Sequence, residues 1–147
     1  RSTAPCGATR SRPSRRSGVA RERLYTLEEA TAMLRPLGEL ISELRAAREV
    51  ITDRALVETM AARAPGNGGG AEGRRFAEAA LRFSRGLAQI ERWGVVVRDL
   101  DEGICDFRAR RGGRDVYLCW RVGEERIGWW HELDAGFRGR RPLDEEG

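Results

Sequence analysis

The stretch Ile104 to Val122, ICDFRARRGGRDVYLCWRV, decides the fold. Ile104 to Ala109 and Asp115 to Val122 each alternate in side-chain character, and Gly112-Gly113 lies between them. Two adjacent glycines suit a two-residue hairpin turn, whose central positions need positive φ. A hairpin centred there puts Cys105 opposite Trp120, Phe107 opposite Leu118 and Ala109 opposite Val116. Every one of those pairs is apolar, so one face of the hairpin is expected to be buried. The same register puts Asp106 opposite Cys119 and Arg108 opposite Tyr117, which leaves mixed chemistry on the other face.

Downstream, Gly123-Glu124-Glu125 reads as a turn that returns the chain through Ile127 to Glu132. Strict alternation then sends Ile127, Trp129 and His131 to the core face and Trp130 and Glu132 to the other. Val116 to Leu143 holds three of the four tryptophans, one of the two tyrosines and the single histidine. Residues 133–143 lack periodicity and read as a Gly/Arg loop, followed by a short acidic tail at 144–147. Upstream, Val95-Val96-Val97 marks a first strand and Asp99 to Gly103 a turn.

Before the strands the apolar period becomes helical. Thr26 and Glu29 form a capping-box pattern, and Ala30, Leu34, Leu37, Ile41, Leu44, Ile51 and Ala55 keep one face apolar. Pro36 removes a backbone donor and is expected to kink or divide this helix near Leu34. A continuous run to Ala62 would be on the order of 50 Å long. Ala64 to Gly70 is a strong breaker. A second helix is expected from about Ala71 to Trp93, with Phe76, Ala80, Phe83, Leu87 and Ile90 as its stripe and Gly94 as its left-handed terminator. The predicted fold class is α+β: within a single domain at 24–143, a long antiparallel helical hairpin (24–93) packs on a small antiparallel β-meander of three to four strands (95–132). Two apolar stripes of that length exceed what a small sheet can cover, so a homodimer is expected.

Charge is unevenly spread. Residues 1–23 hold seven arginines and one acid, while the rest of the chain holds 20 arginines against 22 acids. The extension has almost nothing to bury and is expected to be disordered. The basic signal therefore belongs to that tail, and a nucleic-acid partner is not expected for the folded part. The Gly-rich segment at 64–70 lacks the Gly-Lys-Ser/Thr ending of a phosphate loop. Cys6, Cys105 and Cys119 have no metal-type or disulfide-type spacing, and no secretory signal or membrane-length apolar run is present. These features point to free thiols in a cytoplasmic protein with no membrane partner.

Three stretches carry a family resemblance: Tyr25 to Ala30 with Leu34 and Pro36, Gly94 to Phe107, and above all Val116 to Leu143 with its Trp-His-Glu-Leu-Asp-Ala-Gly-Phe block. Over residues 25–143 the chain resembles the bacterial family catalogued as domain of unknown function 2203. It departs from that pattern at Cys105, where an aliphatic residue is expected, and at Arg138 and Arg141. The resemblance implies no reaction and lends no catalytic residue.

The candidate surface for a ligand or an interface comprises Asp106, Arg108, Tyr117, Trp130, His131, Glu132, Asp134 and Arg140, with Tyr117 and Trp130 as an aromatic patch beside arginines. Alternation separates His131 from Asp106. Any divalent ion would thus be held by Asp106 with Glu132, or by His131 with Asp134, and one imidazole without a thiol pair does not suggest zinc. No catalytic residue and no resident cofactor is assigned. The expectation is a non-catalytic, homo-oligomeric interaction or ligand-binding module for an unidentified protein or small molecule. The first alternative is a metal-assisted or acid-base enzyme acting on a small anionic molecule, and the second is nucleic-acid binding through the Arg-rich tail.

Overall fold

The computed structural model describes residues 22–63 and 70–144. The expectations for the Arg-rich extension up to residue 21, the Gly-rich segment at 64–69 and the tail at 145–147 lie outside the described residues. Three helices precede a five-stranded sheet: α1 (Leu27–Ile51), α2 (Arg54–Arg63), α3 (Gly70–Trp93), β1 (Val95–Asp99), β2 (Ile104–Arg111), β3 (Arg114–Arg121), β4 (Trp129–Glu132) and β5 (Arg141–Pro142). The strands pair antiparallel in chain order. The chain is an α+β protein, with a third helix and a fifth strand beyond the expected outline.

α1 begins on the capping box read from the sequence. Thr26 Oγ1 accepts from the Glu29 amide at 3.1 Å, and the Glu29 carboxylate accepts from the Thr26 amide at 2.9 Å. Pro36 does not divide this helix, which runs unbroken to Ile51. Leu34, Leu37 and Ile41 on both sides of the proline are buried, and tertiary packing of that face outweighs one lost backbone bond. The run ends at Thr52-Asp53 instead. Thr52 closes on the Arg48 carbonyl, and Asp53 Oδ1 accepts from the Leu56 amide at 3.2 Å, which caps α2.

α3 lies against α1 in the opposite direction. Tyr25, just before α1, donates its hydroxyl to the Trp93 carbonyl at the end of α3, and Arg63 at the end of α2 meets Glu72 at the start of α3 at 2.9 Å. The buried side of α3 keeps Ile90 and the half-buried Phe83 of the expected stripe but departs from it elsewhere. Ala79, Gly86 and Ile90 face inward, while Leu87 is 45% exposed. Small residues bring the two helices close: a Cβ on Gly86 would sit 2.6 Å from Leu44 Cδ2.

The core lies between α1, α3 and one face of the sheet. Phe107, Cys105, Ala109, Val116, Leu118, Trp120 and Trp130 supply the sheet side, and Leu37, Ile41, Leu44 and Ile90 the helix side. The β2–β3 register is the one that Gly112-Gly113 imposes, pair for pair from Cys105↔Trp120 to Ala109↔Val116. Arg45 of α1 clamps the β1–β2 turn through the Leu100 and Asp101 carbonyls at 2.8 and 2.7 Å. Gly103, at φ +68°, lets the chain turn directly beneath Val122 and Arg45. The β1–β2 ladder slips between Val97 and Asp99, and β5 is two residues ending in Pro142. Among the described residues no helix is long and apolar enough to cross a membrane.

Candidate functional site

β3 and β4 pair Val116↔Glu132, Tyr117↔His131, Leu118↔Trp130 and Cys119↔Trp129. Partners across a ladder share a face. His131 and Trp129 therefore stand on the face away from the helices, with Asp106 and Cys119, while Trp130 and Glu132 stand on the helix side. This reverses the expectation from strict alternation. Ile127 is in the core as expected, but Arg126 to Gly128 is not strand, so parity is lost before β4 begins. A slip of one residue moves every following side chain to the other face.

The reversal brings together what the sequence reading kept apart. Asp106 Oδ2 lies 3.0 Å from His131 Nε2 and accepts from Arg98 Nε at 2.8 Å. Arg98 reaches that oxygen because it is the extra residue where the β1 ladder slips, and a bulge of this kind re-aims a side chain. His131 Nδ1 is 2.7 Å from the Glu132 carbonyl oxygen. Both ring nitrogens thus face oxygens that accept hydrogen bonds. Cys119 completes the group: one ligand-type atom from each of Asp106, Cys119 and His131 lies within 4.8 Å of the others. All three are buried, with Asp106 and His131 at 1% exposure and Cys119 at 0%. Among the described residues Asp106 Oδ1 has no hydrogen-bond partner.

The electrostatics follow from this enclosure. Burial, and after it the Asp106 charge, pushes the Cys119 thiol up to about 12, with Arg140 opposing. Burial likewise pushes Cys105 up to about 12, but that thiol points into the helix-side core where the family pattern expects an aliphatic side chain. The hydrogen bond to Asp106 raises the Arg98 guanidinium above its ordinary value. A shielded thiol held as its acid is a poor nucleophile. His131 is aimed at Asp106 and a backbone carbonyl, so both of its ring nitrogens are engaged within the protein.

Arginines stacked on aromatic rings cover the cluster. The Arg98 guanidinium lies 4.9 Å from the Tyr117 ring centroid, and Arg140 lies 4.7 Å from Trp129 and 4.0 Å from Phe137. Tyr117 also leans on His131, centroid to centroid at 5.5 Å. Arg140 is tied to Glu124 at 3.2 Å. Arg108 sits on the same face, bonded to Asp115 at 3.1 Å and to Glu22, with its Nε buried and unpartnered.

Of the eight residues expected to form one surface, Asp106, Arg108, Tyr117, His131 and Arg140 share this face. Trp130 does not: it is a core side chain flanked by Arg111 and Arg141. Glu132 is on the helix side, paired with Arg114 at 3.3 Å, so it is separated from Asp106 by the sheet. Asp134 is exposed in the turn after β4, past the end of the strand that carries His131. The expected pair Asp106 with Glu132 is therefore split between the two sides of the sheet, and Asp134 is not part of the cluster that holds His131. Arg98, Cys119 and Trp129 were missing from the expected surface. Cys119 was legible as the hairpin partner of Asp106, whereas the bulge that delivers Arg98 leaves no mark in residue types.

Fold and site together define an α+β protein whose outer sheet face carries a sealed Asp–His–Cys cluster under an arginine–aromatic layer. The chain belongs to the family described as "Uncharacterized conserved protein (DUF2203)", whose model matches residues 23–143. No curated protein and no solved structure matches it.

Proposed function

We propose that this protein is a non-catalytic binding module that works as a homodimer in the cytoplasm and takes a small anionic ligand on the outer face of its sheet. One observation carries the reading. Asp106, Cys119 and His131 are buried, while above them lie guanidinium groups over aromatic rings, with the Arg98 side chain 42% exposed and that of Arg140 18%. Planar guanidinium groups match carboxylate and phosphate oxygens, and an aromatic floor limits the entropy lost when they are engaged. The buried free thiols Cys105 and Cys119 support a reducing compartment.

A thermal-shift screen of orthophosphate, pyrophosphate, nucleotides and small dicarboxylates tests the ligand reading. One class is expected to raise Tm saturably, by mass action on the native state. Arg98→Gln and Arg140→Gln should each weaken that binding by about tenfold, a change worth about 1.4 kcal/mol. A flat response across the panel, or an affinity indifferent to both substitutions, removes the proposal.

Self-association is supported by α3, where Leu81 and Leu87 are 48% and 45% exposed. Sedimentation at micromolar concentration is expected to give a dimer, and Leu87→Asp to give a folded monomer. A monomeric wild-type protein would refute the dimer.

A further inference from the structure

We infer that Asp106, Cys119 and His131 form a binding site for a thiolate-preferring divalent metal ion, zinc foremost. This inference stands apart from the anion-binding reading, since it concerns the buried layer and not the surface above it. Three features of the cluster fit a metal.

The first is the donor set. Carboxylate oxygen, thiol sulfur and imidazole nitrogen converge from β2, β3 and β4 within 4.8 Å of one another. Zinc with bond lengths of about 2.0–2.3 Å needs its donors roughly 3.3–3.7 Å apart in a tetrahedron. Side-chain rotations on the order of 1 Å bring these atoms to that spacing, and the three strands fix their backbones. The second is the unpartnered Asp106 Oδ1, fully buried and within the cluster. A buried carboxylate oxygen without a donor is costly, and a cation removes that cost. The third is the orientation of His131. Its Nδ1 lies against the Glu132 carbonyl at 2.7 Å, an arrangement that makes Nδ1–H the donor and leaves Nε2 as the ligating lone pair.

The charge balance also closes. A divalent ion with one carboxylate, one thiolate and a neutral imidazole is a neutral unit. Binding breaks the Cys119 S–H bond, forms the sulfur–metal bond and releases that proton to solvent. The ion engages Asp106 through Oδ1, the oxygen without a donor, and leaves Oδ2 to Arg98. Among the described residues no further histidine, cysteine or carboxylate joins the three, which leaves a fourth position for water or an exogenous ligand.

Cobalt(II) added to metal-free full-length protein gives the test, because a thiolate–cobalt bond absorbs in the near ultraviolet and a tetrahedral ion in the visible. We expect one cobalt per chain with both absorptions, displaced by zinc, retained in Cys6→Ser and Cys105→Ser, and lost in Cys119→Ser. His131→Gln should weaken binding at least tenfold. A wild-type protein that stays folded by circular dichroism yet shows no thiolate–cobalt absorption overturns the inference, as does absorption that survives Cys119→Ser. Should Cys119→Ser fail to fold, X-ray absorption of the zinc-loaded Cys6→Ser/Cys105→Ser protein decides. One sulfur at about 2.3 Å beside nitrogen and oxygen supports the site, and a shell without sulfur refutes it.

Discussion

Asp106→Ala is expected to lower the unfolding free energy by about 3–5 kcal/mol, measured by urea denaturation in the presence of a chelator. The carboxylate bonds both Arg98 and His131 through one oxygen. Its removal leaves an enclosed imidazole nitrogen facing a void, and it releases the bulged end of β1 from β2. Asp106→Asn should cost less than half as much. An amide of the same shape still offers one oxygen to these neighbours, and its NH2 adds donors where the carboxylate had none. A loss below about 1 kcal/mol in the alanine variant would mean that the cluster contributes little to holding the sheet together.

Phe107→Ala is expected to cost a similar amount, about 3–5 kcal/mol, for an unrelated reason. Phe107 is 0% exposed and stands at the centre of the helix-side core. Its ring meets Tyr25 edge to face at 5.1 Å. Tyr25 is itself tied to β2 through the Arg108 carbonyl at 2.7 Å and to the end of α3 through Trp93. Emptying that position therefore loosens the sheet, the entry to α1 and the exit of α3 together. Polar truncations on the surface, such as Arg35→Ala in its exposed pair with Glu39, should stay within about 0.5 kcal/mol. A Phe107→Ala loss no larger than theirs would contradict the assignment of the core.

These two positions also mark how much of the molecule is legible in its residues. Phe107 was placed correctly because glycines at 112 and 113 fix a turn, a turn fixes a register, and a register sorts faces by parity alone. The capping box at Thr26 and the terminator at Gly94 were readable for the same local reason. Asp106 was legible on its face but not with its partner, because strict alternation does not persist through Gly128, where the chain leaves the extended conformation. Cys119 was opposite Asp106 from the outset, and only the misplacement of His131 hid the cluster. Arg98 depends on a bulge, the inward side of α3 on the small residues Ala79 and Gly86, and the α1–α2 break on Thr52 and Asp53. Each of these follows from contacts between distant segments or from capping groups that also serve as ordinary surface residues.

The two ends of the ladder carry one more consequence. β5 ends on a proline after a single arginine, and β1 slips out of register at Arg98. Proline offers no amide to an incoming strand, and a kinked margin cannot template a straight one. The sheet is thus blunted against growth on both sides, which disfavours strand exchange between molecules and fibril-like stacking even when the protein is concentrated. A second molecule is then expected to dock against a face of the protein rather than along a strand edge, and mild heating to yield reversible association before insoluble cross-β aggregates.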